Sequence, residues 1–116
     1  MSWPYNAPTA TIATGAALSG AIDLGGQLLC SIALPSGWTT ASLTFQASHD
    51  NVTYRNVYST DGTELTVTSA TADRHVVLDP ANFAGVQFVK IRSGTSGTPV
   101  NQTGGDDLIL GLSNST

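Results

Sequence analysis

The sequence predicts an all-β domain, an antiparallel two-sheet β-sandwich of about eight strands with almost no helix. Three observations carry this expectation. Hydrophobic residues make up 41% of the 116 residues and charged residues only 10%, enough apolar side chain for one core, with Ser, Thr and Gly left to cover the surface. Glu, Lys, Arg, Gln and Met, the strong helix formers, are scarce. Short runs of alternating apolar and polar residues recur between Gly, Pro, Asn and Asp, and a period of two marks half-buried strands.

Residues 1–8, "MSWPYNAP", are kept extended by Pro4 and Pro8 and are expected to form an arm ahead of a sandwich domain spanning 9–116. "TATIAT" (9–14) is the first strand, and the Gly-punctuated stretch 15–26 holds another in "AIDL". In "QLLCSIALP" (27–35), Leu28, Cys30, Ile32 and Leu34 alternate onto one face until Pro35 ends the run. "SGWTTA" is a loop or a single helical turn. "SLTFQAS" (42–48) then sets Leu43, Phe45 and Ala47 on one face against Thr44, Gln46 and Ser48 on the other.

His49-Asp50-Asn51 reads as a corner, because Asp and Asn tolerate left-handed backbone and bond their own main chain. "TYRNVYS" and "TELTVTSA" follow as a hairpin about Asp61-Gly62, a pair that favours the type I′ turn. "RHVVLD" and "VQFVKIRS" are strands on either side of "PANFAG", a one-turn helix turning Phe83 inward. "SGTSGTPVNQTGG" (93–105) is a long polar loop, of a length that is either functional, mobile or a solvated connection. "DDLILGL" closes the series with Leu108, Leu110 and Leu112 on one face. The expected core includes Leu28, Ile32, Leu43, Phe45, Val57, Val89, Ile91 and Leu110.

Net charge is −4, and the four basic residues, Arg55, Arg74, Lys90 and Arg92, are spread over three segments. No phosphate-tracking stripe forms from them, so a nucleic-acid partner is not expected. No stretch is long and apolar enough to span a bilayer and no leader pattern stands at the N-terminus, so the expectation is a protein made and folded in the cytosol with no membrane partner. Cys30 lies in an apolar run without basic neighbours, which predicts a buried, inert thiol. With one cysteine there is no intramolecular disulfide. The N-x-[ST] triplets at Asn51, Asn101 and Asn114 read as chance matches in a Thr-rich chain.

Catalytic chemistry finds little support. No G-x-S-x-G elbow is present to aim a serine at an oxyanion hole. His49 sits at a corner, and His75 sits at strand spacing in "DRHVVL" as an exposed or partly buried residue. Asp106 and Asp107 point to opposite faces of a strand, which weakens them as an acid–base pair. Metal-ligating residues are few and scattered, and no Asp-rich loop suits calcium. The chain is expected to be non-enzymatic, with no catalytic residue, cofactor or metal.

"DLGG", "LPSGWTTASLTFQASHDNVTYRNVY" and "DPANFAGVQFVKIRSGTSGTPVNQ" together resemble small virion proteins of tailed bacteriophages and prophages. More distantly, "LTFQASHDNVTYRNV" followed by "FVKIRSG" is similar to the discoidin-like, galactose-binding-type jelly roll: an aromatic-bearing strand, a Ser-x-Asp corner, an aromatic-bearing return strand and a late strand ending in Arg. Here the corner reads Ser48-His49-Asp50-Asn51, with Asn where that pattern usually has Gly, and Asn supplies the same left-handed tolerance. The resemblance covers residues 21–102 and implies a jelly-roll sandwich in a phage particle.

Two functional classes follow from it. The first is a structural virion protein, a head decoration or cement protein made in the host bacterial cytoplasm and bound to the major capsid protein, to copies of itself, or to both. Trp3 and Tyr5 on the N-terminal arm are its expected interface anchors, since large apolar groups at a chain end bury best against a neighbour. The second is a carbohydrate-binding module of a tail or fibre, in which Trp38, Tyr54 and Tyr58 would stack on host-surface glycan. The hairpin at residues 45–65 is expected to be scaffold under the first and a ligand-presenting element under the second.

Overall fold

A computed structural model describes residues 5–114, except for the side chains of Tyr5, Asn6 and Ser69, and these residues form ten strands and one 3-10 turn. The strands are β1 (Tyr5–Asn6), β2 (Thr9–Ile12), β3 (Ile22–Asp23), β4 (Leu28–Ala33), β5 (Ala41–Ser48), β6 (Arg55–Asn56), β7 (Val67–Ala70), β8 (His75–Val77), β9 (Phe88–Ser93) and β10 (Asp106–Ser113). Every pairing is antiparallel. One sheet runs β1-β10-β4-β8 with β2 also on β10, and the other runs β3-β9-β5-β6 with β7 also on β5.

The pairs are nested. β2 meets β10, β3 meets β9, β4 meets β8, and β5 meets the returning β6 and β7. The chain is therefore one long hairpin, rolled until β10 also pairs β4 and β9 also pairs β5. That is the jelly-roll arrangement of a sandwich. Between the sheets the inward residues of alternating strands form the core: Ile12, Leu29, Ile32, Leu43, Phe45, Val89, Ile91, Leu108, Leu110 and Leu112 are all essentially buried. Phe83, on the 3-10 turn Pro80–Phe83, reaches this core and meets Phe45 edge-to-face at 5.2 Å between ring centroids.

Three local expectations change. Leu28 and Cys30 are only half-buried, Leu29 points inward in their place, and Ile32 and Leu34 are buried as expected. The cause is a β-bulge: Ser31 pairs with Gly111 but Leu29 pairs with Leu112, so Cys30 is the extra residue and the alternation slips by one. A Cβ on Gly111 would meet the Ser31 hydroxyl, which would have to rotate away. The Asp61-Gly62 turn is also not type I′. Gly62 alone has positive φ, its N–H bonds the Ser59 carbonyl, and Ser59 N–H bonds Thr63, which is a type I turn closed by a glycine bulge. The hairpin it closes is short, bridged at Tyr58 and Glu64, and projects between β6 and β7, which both lie on β5.

The third change concerns the arm. From Tyr5 onward it belongs to the sheet: Tyr5 and Asn6 pair with Ser113 and Leu112, and the Pro8 carbonyl accepts the N–H of Leu110. β10, eight residues long, has room for β1 and β2 end to end. Trp3 lies outside the described residues, while Tyr5 is placed by its backbone in β1.

Candidate functional site

The corner after β5 is built by its own side chains. The Ser48 hydroxyl accepts the N–H groups of Asp50 and Asn51 and donates to Asp50 Oδ1. The same Oδ1 accepts the N–H groups of Val52 and Thr53 at 2.9 and 3.0 Å. These bonds, led by those from Thr53 and Val52, hold the Asp50 carboxyl down to a pKa of about 2. Asn51 takes φ 61°, the left-handed value anticipated for it, and its amide oxygen accepts the Tyr54 hydroxyl. A cleft of about 380 Å³ opens beside this corner. Its lining mixes the apolar Ala47, Val57 and Val86 with polar residues that include His49, Arg55 and Asn56.

The three aromatic residues expected to face glycan do not converge. Trp38 is 4% exposed, within the core, and its indole N–H bonds the Ala70 carbonyl at 3.0 Å, so it offers no face to a ligand. Tyr54 is half-buried with the Lys90 ammonium 4.2 Å from its ring centroid, an arrangement that already occupies one face. Tyr58 is 56% exposed on the projecting hairpin.

Arg92 has a structural role. It is buried on β9, where its guanidinium donates to Thr44 Oγ1, Glu64 Oε2 and Asn56 Oδ1 at 3.3, 3.2 and 2.6 Å. Glu64 Oε1 in turn accepts the N–H of Ser96. One cation thus ties β5, β9, the projecting hairpin and the loop after β9 together. The strand pattern marked Arg92 as present but gave no sign that it is enclosed.

The loop 93–105, expected as a solvated, mobile or functional connection, is pinned from below. Gln102 is 0% exposed, its amide exchanges hydrogen bonds with both backbone groups of Thr39, and it donates to Ser93 Oγ at 2.8 Å.

Remaining reactive groups are isolated. His75 Nε2 and Ser31 Oγ lie 3.3 Å apart on the outer face of a sheet, with no carboxylate bonded to His75 among the described residues. A serine nucleophile there would lack an orienting acid and an enclosed site. Asp106 and Asp107 do face opposite ways: Asp106 is buried and Asp107 exposed. Burial, and then the neighbouring Asp107 charge, push the Asp106 carboxyl above the usual carboxylate range. Asp106 Oδ2 is buried without a hydrogen-bond partner. Among the described residues no group of three or more His, Cys, Asp or Glu is placed to hold a metal ion, and no helix is long and apolar enough to cross a membrane.

Large apolar side chains are exposed elsewhere, at Val77 on the β8 edge (82%), Ile109 on the outer face of β10 (49%) and Val52 at the corner. Comparisons with family models, curated proteins and solved structures return no match.

Proposed function

We propose that the chain is a non-enzymatic structural protein of a tailed-phage particle, a head decoration or cement protein that binds the capsid lattice or copies of itself. The observation that carries this reading is the division of labour among the side chains. Ser48, Asp50, Glu64, Arg92 and Gln102, which have the chemistry to bind or react, are engaged in holding the sandwich together. Val77 and Ile109, which have only contact area to offer, face outward on the sheet that contains β8 and β10. Exposed apolar groups on a sheet and its edge suit docking to another protein. The resemblance of residues 21–102 to small virion proteins supplies the phage context.

Quantitative mass spectrometry of purified particles tests the proposal. Hundreds of copies per particle are expected for the capsid; a handful would move the protein to the tail, and none would refute the virion role.

The cleft beside the corner favours a second reading, glycan binding by a tail or fibre module, with apolar Ala47, Val57 and Val86 for a sugar face and polar His49, Arg55 and Asn56 for its hydroxyls. Saturation-transfer NMR with bacterial surface glycans checks it. A signal abolished by Arg55→Ala would support the glycan site, and no signal would leave the structural role as the better account.

A further inference from the structure

β8 ends the sheet that also holds β4, β10, β2 and β1, and among the described residues no strand pairs with its outer side. On its inner side Leu34 N–H bonds the Arg74 carbonyl and Leu78 N–H bonds the Cys30 carbonyl, with Val76 opposite Ile32 between them. In an antiparallel ladder such bonded positions alternate with positions whose main-chain groups face the other way. The N–H and C=O groups of His75 and Val77 are therefore turned outward, and both residues are exposed. The edge runs on past β8, since Asp79 keeps extended backbone, φ −80° and ψ 108°, before Pro80 ends it. At the other end Asp73, with φ 60°, turns the chain away.

The other edges are blunted. Pro8 interrupts the opposite edge of the same sheet between β1 and β2, β3 and β6 are two residues each, and a register shift breaks the pairing of β7 with β5. Proline, short length and bulges are the usual means by which an open edge avoids another chain. The extended stretch from His75 to Asp79 has no proline, no lysine and no register shift against β4. What fits such an edge is another strand, and the charges select β8 itself. Antiparallel pairing about a two-fold axis at Val77 sets Val77 against Val77, and sets His75 against Asp79 of the other copy twice over. Asp79 is exposed and accepts Ala81 N–H on Oδ1, which leaves Oδ2 for an imidazole N–H. An axis at Val76 would instead set Asp73 against Asp79, two like charges.

Resting on the reading that the protein binds its own copies, we infer that β8 pairs with β8 of a second copy, antiparallel about Val77, so that two sheets become one across a two-fold axis. The contact uses the same edge on both subunits and closes at a dimer. It accounts for the 82% exposure of Val77, which becomes half of the central cross-strand pair.

The test is amide hydrogen exchange of the purified full-length chain, read residue by residue by NMR at low and high protein concentration. The N–H groups of His75 and Val77 are expected to exchange at least tenfold more slowly at high concentration, in step with a dimer seen by sedimentation, while that of Val76, which faces β4, changes little. A chain that stays monomeric, or a dimer in which those two amides still exchange freely, would overturn the inference. Variants check the register. Val77→Pro removes an N–H that faces away from β4, a place where a sheet tolerates proline, so the melting temperature should hold while dimerisation weakens at least tenfold. His75→Glu sets a carboxylate against Asp79 and should weaken dimerisation likewise, whereas His75→Lys should preserve it. Equal association of the Glu and Lys variants would overturn the inference even if Val77→Pro failed to fold. Particle copy number is measured separately. A monomer abundant on particles removes only this contact, whereas a β8-paired dimer absent from particles removes the virion role and leaves the contact standing.

Discussion

Replacing Glu64 with alanine should be among the more damaging single changes outside the apolar core. The ion pair to Arg92 spans 3.2 Å with side chains only 8% and 14% exposed, so the guanidinium left behind has little water to replace its partner. Removing one member of a buried pair costs about 3–5 kcal/mol. Arg92 keeps its bonds to Thr44 and Asn56, which argues for the lower end, while Ser96 N–H loses its acceptor. The expected loss is about 3 kcal/mol, or a fall in melting temperature of roughly 12 °C for a domain of this size.

Urea unfolding at constant m-value measures this loss. The companion experiment replaces both partners, Glu64→Leu with Arg92→Met. Exchanging a whole buried pair for apolar groups of similar volume is often close to neutral, so the double variant should be more stable than Glu64→Ala. A Glu64→Ala loss below about 0.5 kcal/mol would mean that the pair behaves as a surface salt bridge. A double variant less stable than the single would refute the claim that the stranded charge is the source of the damage.

Gly94→Ala should cost about 3 kcal/mol or more, because Gly94 has φ 89° and a Cβ there would lie 2.5 Å from the Thr98 carbonyl oxygen and 2.6 Å from Val100 N; Gly97→Ala, with open space around it, is the control, and thermal melts compare the two. Asp106→Asn should raise the melting temperature at pH 7. A carboxyl whose folded pKa is raised loses stability as pH climbs through the ordinary carboxylate range to the folded value, so the advantage should vanish in melts near pH 3. Asp50 has the opposite sign: its stabilising effect is present above its ordinary pKa of 3.8 and is lost as pH falls through about 2. Ser48→Ala, which removes one of the bonds responsible, should move the midpoint upward in a carboxyl-carbon NMR titration.

The inward residues Leu43, Phe45, Leu108, Leu110 and Leu112 were legible because both strands are long and central, and all are buried as their spacing requires; the outer face of 42–48 was not, since Thr44 and Ser48 are buried as well and Ala47 is only half-buried. The corner at Ser48-His49-Asp50-Asn51 was legible for a related reason, since its bonds run between residues no more than three apart. What escaped depends on partners distant in sequence. The slip at Cys30 lies in its register with Gly111 and Leu112 across the sheet. β1 exists because β10 offers it an edge, and a two-residue strand has no periodicity of its own. Arg92 and Gln102 look like surface residues until segments 28 and 63 positions away close over them. A crevice of about 210 Å³ lined by residues of β7 and β8 depends on two strands of different sheets, which no local pattern encodes.

The nested hairpin also sets how the domain bears load. Tyr5 lies opposite Ser113 with the strands antiparallel, so tension on the segments before β1 and after β10 pulls the two apart from the same end. Each backbone bond is then stressed in turn, and the pair opens like a zipper at low force. A load applied across the sheet faces is instead carried by the packed core between the two sheets. Anything tethered through both flanking segments would therefore peel this sandwich open from β1 inward, whereas an attachment made through its faces would meet the resistance of the whole fold.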